Sequence, residues 1–128
     1  MTMETPLRQA RGLGSARTGA HHWWLERLTS VSTLLLVVWF FVSLWRLPAY
    51  DQDTILQWLR SPLAATPMIL LIVSAFWHAR MGLIVAIDDY EHGGSRLLLV
   101  VLVNFLAIIG AALAIFAVLK IAFTGTAA

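Results

Sequence analysis

The sequence contains no cysteine among its 128 residues. Disulfides, thiolate-held iron–sulfur clusters and cysteine zinc sites are therefore excluded. Charge is scarce as well: Asp, Glu, Lys and Arg make up 12% of the chain, about half the share of an ordinary soluble domain. None of these four residue types occurs over 28–45, 61–79 or 97–119. Each stretch approaches or exceeds the length that crosses a bilayer core, about 20 residues of helix. A helix of that length in water needs a polar face, and these runs lack charge on every side, so a water-soluble globular fold is excluded. The net charge is only +2 and the basic residues are scattered. That removes the electrostatic footprint of nucleic-acid binding.

What is present is apolar: 59% of the residues are hydrophobic. The expected fold is all-α, an integral membrane protein with three transmembrane helices. A polar arm over 1–20 precedes a membrane domain over 21–124, with helices at about 28–47, 64–88 and 96–122. Pro48 stops the first helix, and Pro62 and Pro67 lie in the opening turns of the second, where missing N–H groups are tolerated. The connection from Pro48 to Arg60, with Asp51, Asp53 and Trp58, has room for a short interfacial helix. Little chain is left for a soluble domain, so chemistry must take place in the membrane or on a partner chain.

The arm holds Arg8, Arg11 and Arg17 among glycines and serine, with no apolar run of its own, so it does not read as a secretory signal. A flexible or interfacial arm is expected; Glu4 counts against a mitochondrial transit sequence. His21-His22-Trp23-Trp24-Leu25-Glu26-Arg27 has the aromatic and charged character of a membrane–water boundary. The basic excess on the N-terminal side (Arg8, Arg11, Arg17, Arg27, joined by Arg96) over Arg46, Arg60 and Lys120 puts the N-terminus in the cytoplasm or a matrix-like compartment.

His78 is the most informative residue. It lies inside the second apolar run, about 15 Å along a helix from Asp88. Ionisable groups at that depth are costly and usually functional. A neutral imidazole there is either an axial ligand for haem iron or a histidine hydrogen-bonded to a neighbouring helix. Gly82, four residues on, shares its face and allows close approach of a flat macrocycle or another helix. Ser74, four residues back, is positioned to orient the ring. Arg80 falls about 200° round the helix from His78. It is expected to snorkel to the boundary, the alternative being a pairing with a haem propionate or a partner's acid. Asp88-Asp89-Tyr90-Glu91-His92 forms a polar end to the second helix. Asp89, eleven residues from His78, falls on its face. A boundary tyrosine serves either as an aromatic anchor or as a hydrogen-bond donor to a quinone carbonyl.

The run His78-Ala79-Arg80-Met81-Gly82 continuing to Asp88-Asp89-Tyr90-Glu91-His92 resembles the second transmembrane helix of the succinate dehydrogenase hydrophobic membrane anchor family. Gly14-Ser15-Ala16 and the stretch from His22 to Thr29 are similar to the segment before that family's first helix. The resemblance implies a subunit of succinate:quinone oxidoreductase that is not a catalyst alone. Its partners would be a second membrane anchor subunit, an iron–sulfur subunit, a flavoprotein subunit and membrane lipid. Haem b would lie between the two anchors with one axial histidine from each, and ubiquinone would bind near the iron–sulfur subunit. Carried over by position, His78 is the haem-iron ligand, Tyr90 contacts ubiquinone and Asp89 is its neighbour. Arg27 and His22 fall near the haem propionates or the quinone entrance. The implied location is the bacterial inner membrane, with the mitochondrial inner membrane as the alternative.

Two departures concern Glu26, where the family often has Gln, and Arg80, where an uncharged residue is usual. Rival readings are a fumarate reductase anchor, a cofactor-free structural or assembly protein, and a small transporter using Arg80 and Asp88. The chain has no internal repeat, which argues against the last.

Overall fold

The computed structural model describes residues 17–91 and 93–125. Its helices are α1 (Arg17–Trp45), α2 (Gln52–Arg60), α3 (Pro62–Tyr90) and α4 (Gly94–Thr124), with no strand among the described residues. α1, α3 and α4 are each long and apolar enough to cross a membrane. At 1.5 Å per residue, the 29 residues of α3 extend about 43 Å, beyond the ~30 Å hydrocarbon core.

α1 starts upstream of the apolar stretch placed at 28–47, because helix formation continues through the polar turns that precede it. The span apolar enough for the membrane is Trp23–Trp45. Charge-free runs thus mark the most apolar part of a span, not where a helix begins. Arg17 to Ala20, assigned to the polar arm, are helical, while residues 1–16 and His92 lie outside the described residues.

The connection after α1 does carry a short helix. Asp51 caps α2: its carboxylate accepts the Thr54 backbone N–H at 3.2 Å and the Thr54 hydroxyl at 2.6 Å. These bonds, the hydroxyl's first, hold the Asp51 carboxyl below its ordinary range. Trp58 of α2 stacks on Trp39 of α1, ring centres 6.1 Å apart. Arg60 donates from Nη2 to the Gly125 carbonyl at 2.7 Å. Gly125 has φ 68°, a left-handed cap that suits glycine, and its N–H closes α4 on the Ile121 carbonyl. α2 therefore ties together the C-terminal ends of α1 and α4.

α3 is the central element. It packs against α1 on one side and α4 on the other, and α1 and α4 make no close backbone approach to each other. Both pairings are antiparallel: Thr29 meets His78 and Thr33 meets Ser74, while Arg80 meets Asn104 and Phe76 meets Gly110. A Cβ at Gly110 would lie 2.6 Å from Phe76 Cε1, so the missing side chain is what lets α4 close on α3. Among the described residues the buried hydrophobic side chains are Leu59, Ala64, Ala65, Met81 and Val118. Leucines, phenylalanines and tryptophans cover the outer faces. Such a surface is untenable in water and suits lipid, where helices satisfy their own backbone groups.

Candidate functional site

The polar groups within the spans gather on the two flanks of α3. On the α1 side, Thr29, Ser32 and Thr33 recur at helical spacing and meet Ser74 and His78 of α3. The His78 ring is half-buried, with Nδ1 3.5 Å from Thr29 Oγ1. Thr29 Oγ1 also donates to the Glu26 carbonyl at 2.9 Å, a carbonyl that receives the Ser30 hydroxyl at 2.7 Å as well. Below this, the Ser74 and Thr33 hydroxyls are 2.7 Å apart, and Ser74 Oγ reaches Ser32 at 3.4 Å. The expectation that Ser74 orients the imidazole is thus corrected. Ser74 turns to the hydroxyls of α1, and Thr29 is the group beside the ring. A groove of about 560 Å³ runs alongside, lined by Leu35, Leu36, Leu70, Val73 and Trp77 together with Thr29, Ser32 and Ser74.

Gly82 shares the His78 face, one turn on. A Cβ built there meets nothing within 4 Å. This glycine is not the packing glycine of the chain's own helices, a role that Gly110 fills. It leaves a bare strip beside the histidine, open to a flat group or to another protein's helix. The donor chemistry and the bare strip together fit an axial haem ligand. Among the described residues no cluster of three or more His, Cys, Asp or Glu side chains converges.

On the α4 side, Arg80 does not snorkel. Its Nε donates to Asn104 Oδ1 at 2.5 Å, its guanidinium lies 5.3 Å from the centre of the Trp77 ring, and Asn104 Nδ2 donates to the Val100 carbonyl at 2.6 Å. No Asp or Glu forms an ion pair with it among the described residues. The reason is proximity: an amide on the facing helix satisfies the cation at its own depth. Asn104, the chain's one asparagine in an otherwise apolar run, was the signal that a count of formal charges passes over.

The antiparallel register sets Arg27 at about the level of Arg80, on the same side of His78 as Asp89 and Tyr90 but about 15 Å along the axis from Tyr90. Helix α3 persists to Tyr90. Asp89 therefore stays on the His78 face, and Tyr90 lies about 120° from it and about 18 Å along the axis. Tyr90 is 86% exposed, and Asp89 is exposed too. Arg27 stacks over Trp23 at 4.2 Å, and no hydrogen bond joins it to Tyr90 or Asp89. Asp88 is engaged by Arg96 at 2.8 Å, and Glu91 by the Ser95 hydroxyl at 2.7 Å. These contacts fix the α3–α4 corner and leave Asp89 and Tyr90 projecting. His22 lies on α1, and its side chain is outside the described residues.

Residues 1–122 match the family described as the succinate dehydrogenase/fumarate reductase transmembrane subunit. The chain is 30% identical over 103 residues to the succinate dehydrogenase hydrophobic membrane anchor subunit of Rickettsia conorii, covering 79% of this chain and 82% of that one. It is 32% identical over 92 residues to the subunit of the same name from Paracoccus denitrificans, covering 72% and 71%. Against the Rickettsia bellii subunit it is 30% identical over 82 residues, covering 64% of this chain and 66%, just under two thirds, of that one. No solved structure matches the chain.

Proposed function

This chain is a membrane anchor subunit of the succinate dehydrogenase/fumarate reductase family, and from that premise we propose that it holds a shared haem b through His78 and forms part of a ubiquinone-reduction site at Tyr90 and Asp89. The observation that carries the reading is His78 itself: a half-buried imidazole within a membrane span, beside a glycine whose missing side chain leaves the face open. Haem, when bound, supplies a one-electron carrier inside the membrane. His78 would hold the group from this chain, and any further protein ligand would have to come from a partner anchor subunit.

Tyr90 and Asp89 support the quinone half of the proposal by position. A phenol at the membrane boundary donates a hydrogen bond to a quinone carbonyl, and a carboxylate beside it passes protons to the oxygens as two electrons arrive. Those electrons come from an iron–sulfur subunit, reduced in turn by a flavoprotein subunit. Arg27, with its guanidinium on the Trp23 ring and on the Tyr90 side of His78, suits a haem propionate or the quinone entrance. The proposed location is the cytoplasmic membrane of a bacterium, with the Tyr90 end facing the cytoplasm.

The test is His78→Ala in the purified complex. The haem absorbance per flavin should fall to near zero while the subunits still co-purify. A visible spectrum identical to the parent's would refute the ligand assignment.

A further inference from the structure

We propose that Thr29 is a positioning residue for His78: its hydroxyl oxygen accepts the Nδ1 proton and so leaves the Nε2 lone pair free for an axial bond. The inference rests on the haem reading above and deepens it. Hydrogen-bond valence carries the argument. A threonine hydroxyl has one proton and two acceptor sites. The Glu26 carbonyl at 2.9 Å is nearer to Thr29 Oγ1 than the imidazole nitrogen at 3.5 Å, so the proton goes to the carbonyl. What Thr29 has left for His78 is a lone pair. The only group that satisfies a lone pair there is an Nδ1–H.

A neutral imidazole carries its proton on one nitrogen, and the partner of that nitrogen decides which one binds a metal. With Nδ1 protonated, Nε2 is the ligand. Nδ1 points at α1 and is spent on it, so the other ring nitrogen points away from the α1 contact. The remaining polar groups of this flank do not compete. Ser74 is occupied by Thr33 and Ser32, and Arg80 is turned to α4. Thr29 is thus the sole side-chain partner of the ring among the described residues. Its own geometry is set by the helix turn that brings it over the Glu26 carbonyl. Groups in this position fix the ring's orientation and raise the basicity of the ligating nitrogen.

The experiment compares Thr29→Val, Thr29→Ser and His78→Ala in the purified complex. It reads haem per flavin, the haem midpoint potential and the ferric haem electron paramagnetic resonance spectrum. Valine keeps the shape and removes the acceptor. The Thr29→Val complex should keep haem but show an upward shift of the midpoint potential, because a less basic imidazole stabilises ferric iron less, together with a moved largest g value. Thr29→Ser should restore both. Loss of haem in Thr29→Val with retention in Thr29→Ser supports the proposal equally, and loss in both overturns it. Haem that disappears in His78→Ala but has parental potential and resonance in Thr29→Val overturns the role of Thr29 alone. A parent complex without haem, or a His78→Ala complex with an unchanged spectrum, overturns the haem reading and this inference with it.

Discussion

Asn104→Leu isolates the cost of a cation inside the membrane. Arg80 lies ten residues, about 15 Å, from the end of α3 at Tyr90, at a depth where an arginine costs ~2.5–3.5 kcal/mol on insertion scales. Two contacts offset that cost: the bond from Nε to Asn104 and the Trp77 ring face. A hydrogen bond to a charged group contributes about 1.5–3 kcal/mol in water-soluble proteins, whereas polar pairs between membrane helices average ~0.6 and reach ~1.7 kcal/mol. The lipid value governs here, with the charge placing it in the upper part of the range. Asn104→Leu should therefore cost about 1–1.7 kcal/mol, a factor of roughly 5–18 in population. Arg80→Leu removes the charge that had to be accommodated and leaves Asn104 bonded to the Val100 carbonyl; it should be nearly neutral. The double variant should recover most of the loss, since an apolar pair replaces a buried polar one at little cost. The assay is the temperature at which the anchor separates from the purified complex in mild detergent. The required order is Asn104→Leu lowest, the double variant and Arg80→Leu close to the parent. If Arg80→Leu separates at a lower temperature than Asn104→Leu, the cation is itself stabilising and the reasoning fails.

Three shorter predictions accompany it. Gly110→Ala drives a methyl against Phe76 and should cost about 1–3 kcal/mol by overpacking; adding Phe76→Leu should restore the dissociation temperature, and no restoration would argue against this contact. The Asp51 carboxyl is depressed by its Thr54 bonds, so the cap is at full strength above the ordinary aspartate pKa of about 4. It is lost as pH falls through the lower folded-state value, and protection of the Thr54 amide, its exchange relative to the intrinsic rate at the same pH, should fall there in the parent but not in Asp51→Ala, which lacks that protection already at neutral pH. Tyr90→Phe should lower succinate–ubiquinone activity severalfold while leaving succinate reduction of a soluble dye intact; equal losses in both assays would remove Tyr90 from the quinone site.

The sequence made the number and type of elements legible because the membrane reads charge, and charge-free runs are visible by inspection. It made the helix ends less legible, because a helix need not stop where lipid does: α1 extends back to Arg17 through polar residues. His78, Gly82 and Asp89 share one face of α3, which periodicity shows, whereas the quinone roles of Asp89 and Tyr90 rest on the resemblance to the anchor family. The partners of His78 and Arg80 were not legible, since both come from other helices. Thr29 is 49 residues from His78 and Asn104 is 24 from Arg80, and nothing local in the chain links them. The assignment of the imidazole to Ser74 failed for that reason: helical spacing finds neighbours along a helix, while the closer neighbour was across it.

The same two residues account for the order of the helices. His78 and Arg80 project about 200° apart from one helix. Neither can be left unpaired at that depth without a cost of kilocalories. One flanking helix cannot serve both directions, so two are needed, one on each side. α1 supplies one hydroxyl, that of Thr29, to the histidine, and α4 supplies an amide to the arginine. That requirement places α3 in the middle and keeps α1 and α4 apart. The two flanks differ in kind. The amide of Asn104 meets Arg80 inside the chain, while Thr29 satisfies only one nitrogen of His78. Its second nitrogen and the bare strip at Gly82 are the unfinished part of the arrangement. An ionisable side chain is retained at membrane depth when it is satisfied or used; Arg80 finds partners within the chain in Asn104 and Trp77, and under the proposed function His78 is the one used from outside it.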